Sequence, residues 1–324
     1  MEGLIPEFSI ESVFLYPWRE GFDEFLWIWV MGFLVSLSCG IVGNFIILRR
    51  MALVGDAISH SVLPGLVVAF LITGSLEGPV MIVGAAVAGV LTTLLIEIIH
   101  QNSRIKSDAA LGIVFSTLFA IGVILITLFA GDVHLDVEHV LYGAIEFIAW
   151  QDAWKLGEMY VPYPVIQIFV VCLVVVLLVV AFYKELVATS FDPVMAASLG
   201  MPVRAIHYTL MALLAVVVVS AFSAVGAILV IAMLILPGIT AALYSDRMLV
   251  LLFSSMPLSA AYAIGGMHVS LWLGCSIAGA MVVVAFGIFL ISWVLSPHRG
   301  LIARFLRRKN IRHLSAEELE SAAG

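Results

Sequence analysis

The stretch MALVGDAISHSVLPGLVVAFLITG, residues 51–74, decides how this chain is read. It is long and apolar enough to cross a bilayer, which takes about 20 residues of helix. Yet it carries Asp56 and His60, four residues apart and therefore on one helix face. With a helix start near Met51, His60 lies about 13 Å in, close to mid-bilayer. A charged group there costs at least about 2.5 kcal/mol, so it faces a cavity and has a task. On spacing alone three readings stay open: a hydrogen bond between neighbouring turns, a proton relay, or part of a divalent-metal site. A carboxylate and a neutral imidazole suit Mn²⁺, Fe²⁺ or Zn²⁺ and say little for thiolate-seeking Cu(I). Two ligands are too few for a closed site, but an open one lets an ion leave again.

The surrounding sequence supports a membrane setting. Of 324 residues, 63% are hydrophobic and 11% charged, where soluble domains carry about 25% charged residues. The expected fold class is all-α, a polytopic membrane helical bundle. Nine crossings can be drawn: 26–48, 51–76, 79–99, 109–130, 164–183, 207–220, 225–244, 248–264 and 268–295. Eight remain if 207–244 holds a re-entrant piece, since residues 220–226 divide it weakly. Pro64-Gly65 and Pro237-Gly238 fall inside spans, where neighbouring helices can satisfy the freed backbone. Gly84/Ala88 and Ala85/Gly89 have the four-residue spacing of close helix packing. Cys39, Cys172 and Cys275 stand singly and read as packing residues. The acidic N-terminus has no basic n-region and does not read as a signal peptide.

Basic residues set the orientation. With the N-terminus outside, all but Arg19 and Lys155 of the 15 lysines and arginines fall on the inner side. The chain then divides into an extracytoplasmic N-terminal segment (1–24), a transmembrane domain (25–298) and a basic cytosolic tail (299–324). The tail reads first as a topology anchor, and it can also lie along anionic lipid.

A second informative stretch is TSFDPVMAASLGMP, residues 189–202, on the predicted cytosolic side. Asp192 can cap a helix, Pro193 suits its first position, and Gly200 with Pro202 can end it. About seven helical residues are too few to span. Val194, Met195, Ala196 and Leu199 give it an apolar face, read as a knob for a partner's groove or as an interfacial helix on headgroups. None of the four lysines follows a glycine, so no phosphate-binding GxxxxGK[ST] loop is present. Any ATP-driven step would belong to another polypeptide.

In order along the chain, MALVGDAISHSVLPGL, IKSDAALGIVFSTLFAIGVILI, FDPVMAASLGMPVRAIHY and AVGAILVIAMLILPGITA carry a family likeness. Together they resemble the permease subunit of bacterial ATP-binding-cassette importers for manganese, zinc and iron, over about residues 25–298. The resemblance implies two permease subunits, identical or paired with a relative, around one pathway in the cell membrane. It implies cytosolic ATP-binding subunits that hold the ATP, and an extracytoplasmic metal-binding protein. It implies no enzyme activity in this chain, no permanently bound cofactor and no nucleic-acid partner. The family's D-x-x-x-H motif falls on Asp56 and His60, making them the expected metal pair. Its FDP-x-x-A-x-x-x-G segment falls on Phe191, Asp192, Pro193, Ala196 and Gly200. With Met195 and Leu199 on the same short helix, this is the expected ATPase-docking element. GDAISHSVLPG, IKSDAALG and HLDVEHVLYG look closer to the manganese and iron branch than to the zinc branch. The expected cargo is Mn²⁺, then Fe²⁺, then Zn²⁺.

Outside these motifs, GDVHLDVEHV holds Asp132, His134, Asp136, Glu138 and His139 on the predicted outer side. It reads first as a solvated acidic turn. The weaker reading makes His134, Asp136, Glu138 and His139 external metal contacts. The resemblance transfers only Leu141 and Gly143 of the adjoining LxG. His207, His268, His298 and His313 read as interfacial residues at helix ends or in the tail. Two other function classes make different demands on the sequence. An ion-coupled secondary transporter calls for more intramembrane carboxylates and no capped knob. An intramembrane metalloprotease calls for HExxH and a further ligand, and no HExxH occurs.

Overall fold

The structure, a computed structural model, describes residues 9–19, 21–74, 79–129, 143, 145–156, 159–297 and 299–303. The external candidates His134, Asp136, Glu138 and His139, with Leu141, His298, His313 and most of the basic tail, lie outside the described residues.

Twelve helices carry the fold among the described residues. They are α1 (Phe22–Leu48), α2 (Val54–Ser61), α3 (Leu63–Thr73), α4 (Pro79–Asn102), α5 (Ser107–Phe129), α6 (Tyr163–Ala181), α7 (Tyr183–Phe191), α8 (Pro193–Ser198), α9 (Val203–Val225), α10 (Ala227–Ala242), α11 (Met248–Leu273) and α12 (Ile277–Leu295). Short helical turns at Glu11–Leu15 and Tyr16–Arg19 precede α1. A 3₁₀ turn, Ile145–Trp150, leads into an antiparallel hairpin of β1 (Ala153–Leu156) and β2 (Met159–Pro162), with Ala153 opposite Pro162. This hairpin is a small departure from the all-helical expectation.

Eight helical stretches are long and apolar enough to cross a membrane, with α2 and α3 together counting as one. The ninth expected crossing becomes α10, 16 residues long. At 1.5 Å per residue it reaches about 24 Å, short of a hydrocarbon core of about 30 Å. It is wrapped in the centre of the bundle instead, with Leu229, Val230, Met233 and Leu234 all buried. Its break from α9 falls at Gly226, with φ +78° and ψ 167°, a backbone region open essentially to glycine alone. Gly143 packs on this break; a Cβ there would lie 2.2 Å from the Val225 carbonyl carbon.

Another expected boundary moves. Gly265-Gly266 does not separate two spans but lies inside α11, which runs on to Leu273 and stops at Gly274. The glycines let α12 approach: a Cβ on Gly266 would meet Met281 at 2.2 Å. His268 is therefore not at a helix end. It is buried under the N-terminal turns, with its Nδ1 2.8 Å from the Val13 carbonyl oxygen and its ring stacked on Phe14.

α1 is the central helix: 61% of its most apolar window is buried, against 28% for α5. It packs on α11 in antiparallel register, through Ser36 Oγ to Ser259 at 2.9 Å and Asn44 Nδ2 to Ser255 at 3.0 Å. Such hydrogen bonds between membrane helices contribute roughly 0.6 kcal/mol each. The register puts Arg247, before α11, at the same end of the bundle as Arg49. The expected small-residue packing is also seen: Gly84 and Ala88 of α4 meet Gly65 of α3, and Gly89 meets Ile58 of α2.

Candidate functional site

α2 sits against the bundle core, with Val54, Gly55, Ala57, Ile58, Ser59 and Ser61 buried. Ser61 fixes it to α4 through Thr92 at 2.7 Å. The helix starts at Val54 rather than near Met51, yet the depth of the pair is little changed. Leu234 of α10 would meet a Cβ on both Gly43 and Gly55. Gly43 lies five residues before the end of α1, so this level is about 8 Å inside the bundle. Asp56 adjoins it and His60 lies one turn deeper.

The two side chains form the open stripe of this buried helix. His60 is 39% exposed and Asp56 41%, with His60 Nε2 3.4 Å from Asp56 Oδ1. That separation is longer than an ordinary hydrogen bond. It matches two donors about 2.1 Å from one ion, which lie about 3 to 3.5 Å apart at octahedral to tetrahedral angles. Phe115 and Phe119 of α5 flank the imidazole, at ring-centroid distances of 6.2 and 6.3 Å. Neither polar side chain has another polar partner among the described residues. Nor does any group of three or more His, Cys, Asp or Glu that could hold a metal ion occur among them. Among the described residues, Asp56 and His60 are the two candidate ligands that meet here.

The second candidate, α8, is six residues long. Asp192 caps it as its pattern predicts: the carboxylate accepts from Val194 N at 3.1 Å and Met195 N at 2.9 Å. Gly200 takes φ +80°, the left-handed stop. Phe191, Val194, Met195 and Leu199 project outward and are exposed, whereas Ala196 is turned into the chain and buried. The presented apolar face is thus Phe191, Val194, Met195 and Leu199, supported from beneath by Ala196.

A third cluster escaped the sequence reading. His207, expected at an interface, sits between Arg49 and Glu97. Arg49 Nη1 lies 2.8 Å from His207 Nδ1, and His207 Nε2 lies 3.1 Å from Glu97 Oε2. Arginine only donates, so Nδ1 accepts and Nε2–H donates to the carboxylate. Arg49 also donates from Nε to Ser190 Oγ at 3.1 Å and from Nη2 to Thr189 Oγ1 at 3.0 Å. Burial lowers the pKa of the Arg49 guanidinium, and the Glu97 carboxylate opposes that. Glu97 is largely buried, its side chain only 13% exposed. The three residues are 48 or more positions apart, so no local motif could have announced them.

The chain matches the model of the ABC 3 transport family over residues 22–296. It is 44% identical over 285 residues to the manganese transport system membrane protein MntD of Bacillus subtilis, covering 88% of this chain and 96% of that protein. It is 38% identical over 272 residues to the zinc transport system membrane protein TroD of Treponema pallidum, covering 84% and 74%. Among solved structures it is similar to PsaBC from Streptococcus pneumoniae in complex with Fab. There the TM-score is 0.74 at 34% identity, covering 93% of this chain and 100% of that one. With eight apolar helices among the described residues and a family match that spans all of them, the chain belongs to the ABC 3 transport family and is a multi-pass bacterial membrane permease.

Proposed function

We propose that this permease passes Mn²⁺, ahead of Fe²⁺ and Zn²⁺, and that Asp56 and His60 hold the ion on its way. One observation carries the reading. A carboxylate and an imidazole, two-fifths exposed and spaced to share an ion, occupy the open face of a buried helix at membrane depth. Bare lipid is a costly neighbour for such groups. A second permease subunit, identical or related, covers this face and brings further ligands to an ion that one chain holds only weakly. Manganese is favoured by the motif wording and by the name of MntD; the name of TroD keeps zinc in view.

ATP is hydrolysed by a separate cytosolic subunit that docks on Phe191, Val194, Met195 and Leu199. An extracytoplasmic binding protein delivers the metal. An ion-coupled mechanism finds less support, because Glu97 is committed to His207 and is not free to carry protons or ions.

Elemental analysis of a deletion strain with and without this chain tests the reading. Restored Mn accumulation that is lost with Asp56→Ala or His60→Ala, at normal expression, is the expected result. Normal accumulation in both variants would count against the pair, and restoration of Zn alone against the metal.

A further inference from the structure

The Arg49 cluster is not part of the metal pair or of the docking face, yet it lies between them. Its guanidinium grips Thr189 and Ser190, the last turn of α7 before Asp192 caps α8. Its backbone ends α1 and begins the linker to α2. That linker is taut: Arg50 N bonds Ile47 O, Met51 N bonds Ile46 O, and Val54 N bonds Met51 O. Arg50 is held at φ +58°, an uncommon conformation for a side-chain-bearing residue. Seven positions after Arg49 comes Asp56. A cavity of about 410 Å³ is lined by Pro193 of α8, by Arg50 and Met51 of the linker, and by Arg49, Glu97 and His207.

From this geometry we infer that Arg49 is a positioning residue that transmits displacement of the 189–200 elbow to the helix bearing Asp56 and His60. His207 and Glu97 act as its backstop. They hold the fork from the far side, so that a pull on Thr189 and Ser190 reaches the linker rather than swinging the side chain. Because the fork spans a cavity, the elbow has room to move without displacing packed side chains. The inference rests on the proposed docking role of α8 and the proposed metal role of the pair.

The test uses the permease assembled with its ATPase subunit in proteoliposomes, supplied with binding protein loaded with Mn²⁺. Import and ATP hydrolysis are measured together. Thr189→Val with Ser190→Ala removes both acceptors while leaving Arg49, His207 and Glu97 in place. The expected result is intact assembly, unchanged basal hydrolysis, and Mn²⁺ imported per ATP lower by about fivefold or more, the range of coupling between two sites. Ser190→Thr, which keeps the hydroxyl, should restore the ratio when paired with native Thr189. An unchanged ratio in the double variant overturns the inference. So does a parallel fall of import, hydrolysis and thermal stability, the mark of a purely structural contact. Asp56→Ala in the same assay separates the two levels. Normal import there defeats the metal-pair reading, while the ratio in the Thr189/Ser190 variant still decides whether Arg49 couples.

Discussion

Two polar clusters sit in this apolar bundle, and they are solved in opposite ways. Arg49, His207 and Glu97 find their partners within the chain, with His207 17% and Glu97 13% exposed. Among the described residues, Asp56 and His60 have only each other as polar partners, and they stay about two-fifths open. Burying charge is costly unless every group is paired. A cluster that closes within the chain has met that condition by itself. One that stays open on a membrane helix needs its remaining partners from outside: an ion, a second subunit, or both. On the proposed reading, the difference separates a cluster that ties parts of the chain together from a pair that handles cargo.

Substitutions probe that contrast in descending order of expected effect. Asp56→Ala or His60→Ala should lower Mn²⁺ uptake by about 100-fold or more, since losing even a supporting partner of a ligand costs about 10–100-fold in affinity. Thermal unfolding should be unmoved, because the pair has no other polar partner among the described residues; a clear loss of stability would break the comparison. Met195→Glu with Leu199→Glu should weaken ATPase co-purification by at least about 2 kcal/mol. Intact co-purification would move the docking face elsewhere. His207→Leu should leave Glu97 Oε2 and one Arg49 donor without a partner, while Gln101 keeps Glu97 Oε1, lowering stability by about 1–3 kcal/mol in thermal unfolding. His207→Gln, which can still accept and donate, should recover most of it. Asp192→Ala should cost about 1 kcal/mol of local helix stability, read as faster amide exchange in α8 with little change elsewhere.

Much of the fold was legible because bilayer solvent imposes simple rules on length and composition. The pair was legible too, since a carboxylate and an imidazole at i and i+4 stand out in an apolar run. So were the cap at Asp192 and the stop at Gly200, whose residue types are dictated by local backbone geometry. What stayed hidden was set by contacts across the chain. The spans expected at 248–264 and 268–295 part too early, because Gly265 and Gly266 serve packing against Val284 and Met281 of α12 and the helix runs on to Leu273. α10 read either as a ninth span or as a re-entrant piece, because hydropathy does not see that Gly226 shortens it. His207 looked interfacial because Arg49 and Glu97, 158 and 110 positions away, are brought to it by tertiary packing alone. Ala196 carried the family motif, but which way it turns on a six-residue helix depends on what lies beneath.

The central claim is that the open pair holds the transported ion. It is tested most directly by Mn²⁺ binding to the purified permease–ATPase complex, with free Mn²⁺ counted by electron paramagnetic resonance. The native complex should retain Mn²⁺, and Asp56→Ala and His60→Ala complexes, equally well assembled, should not. Equal retention by all three would contradict the claim.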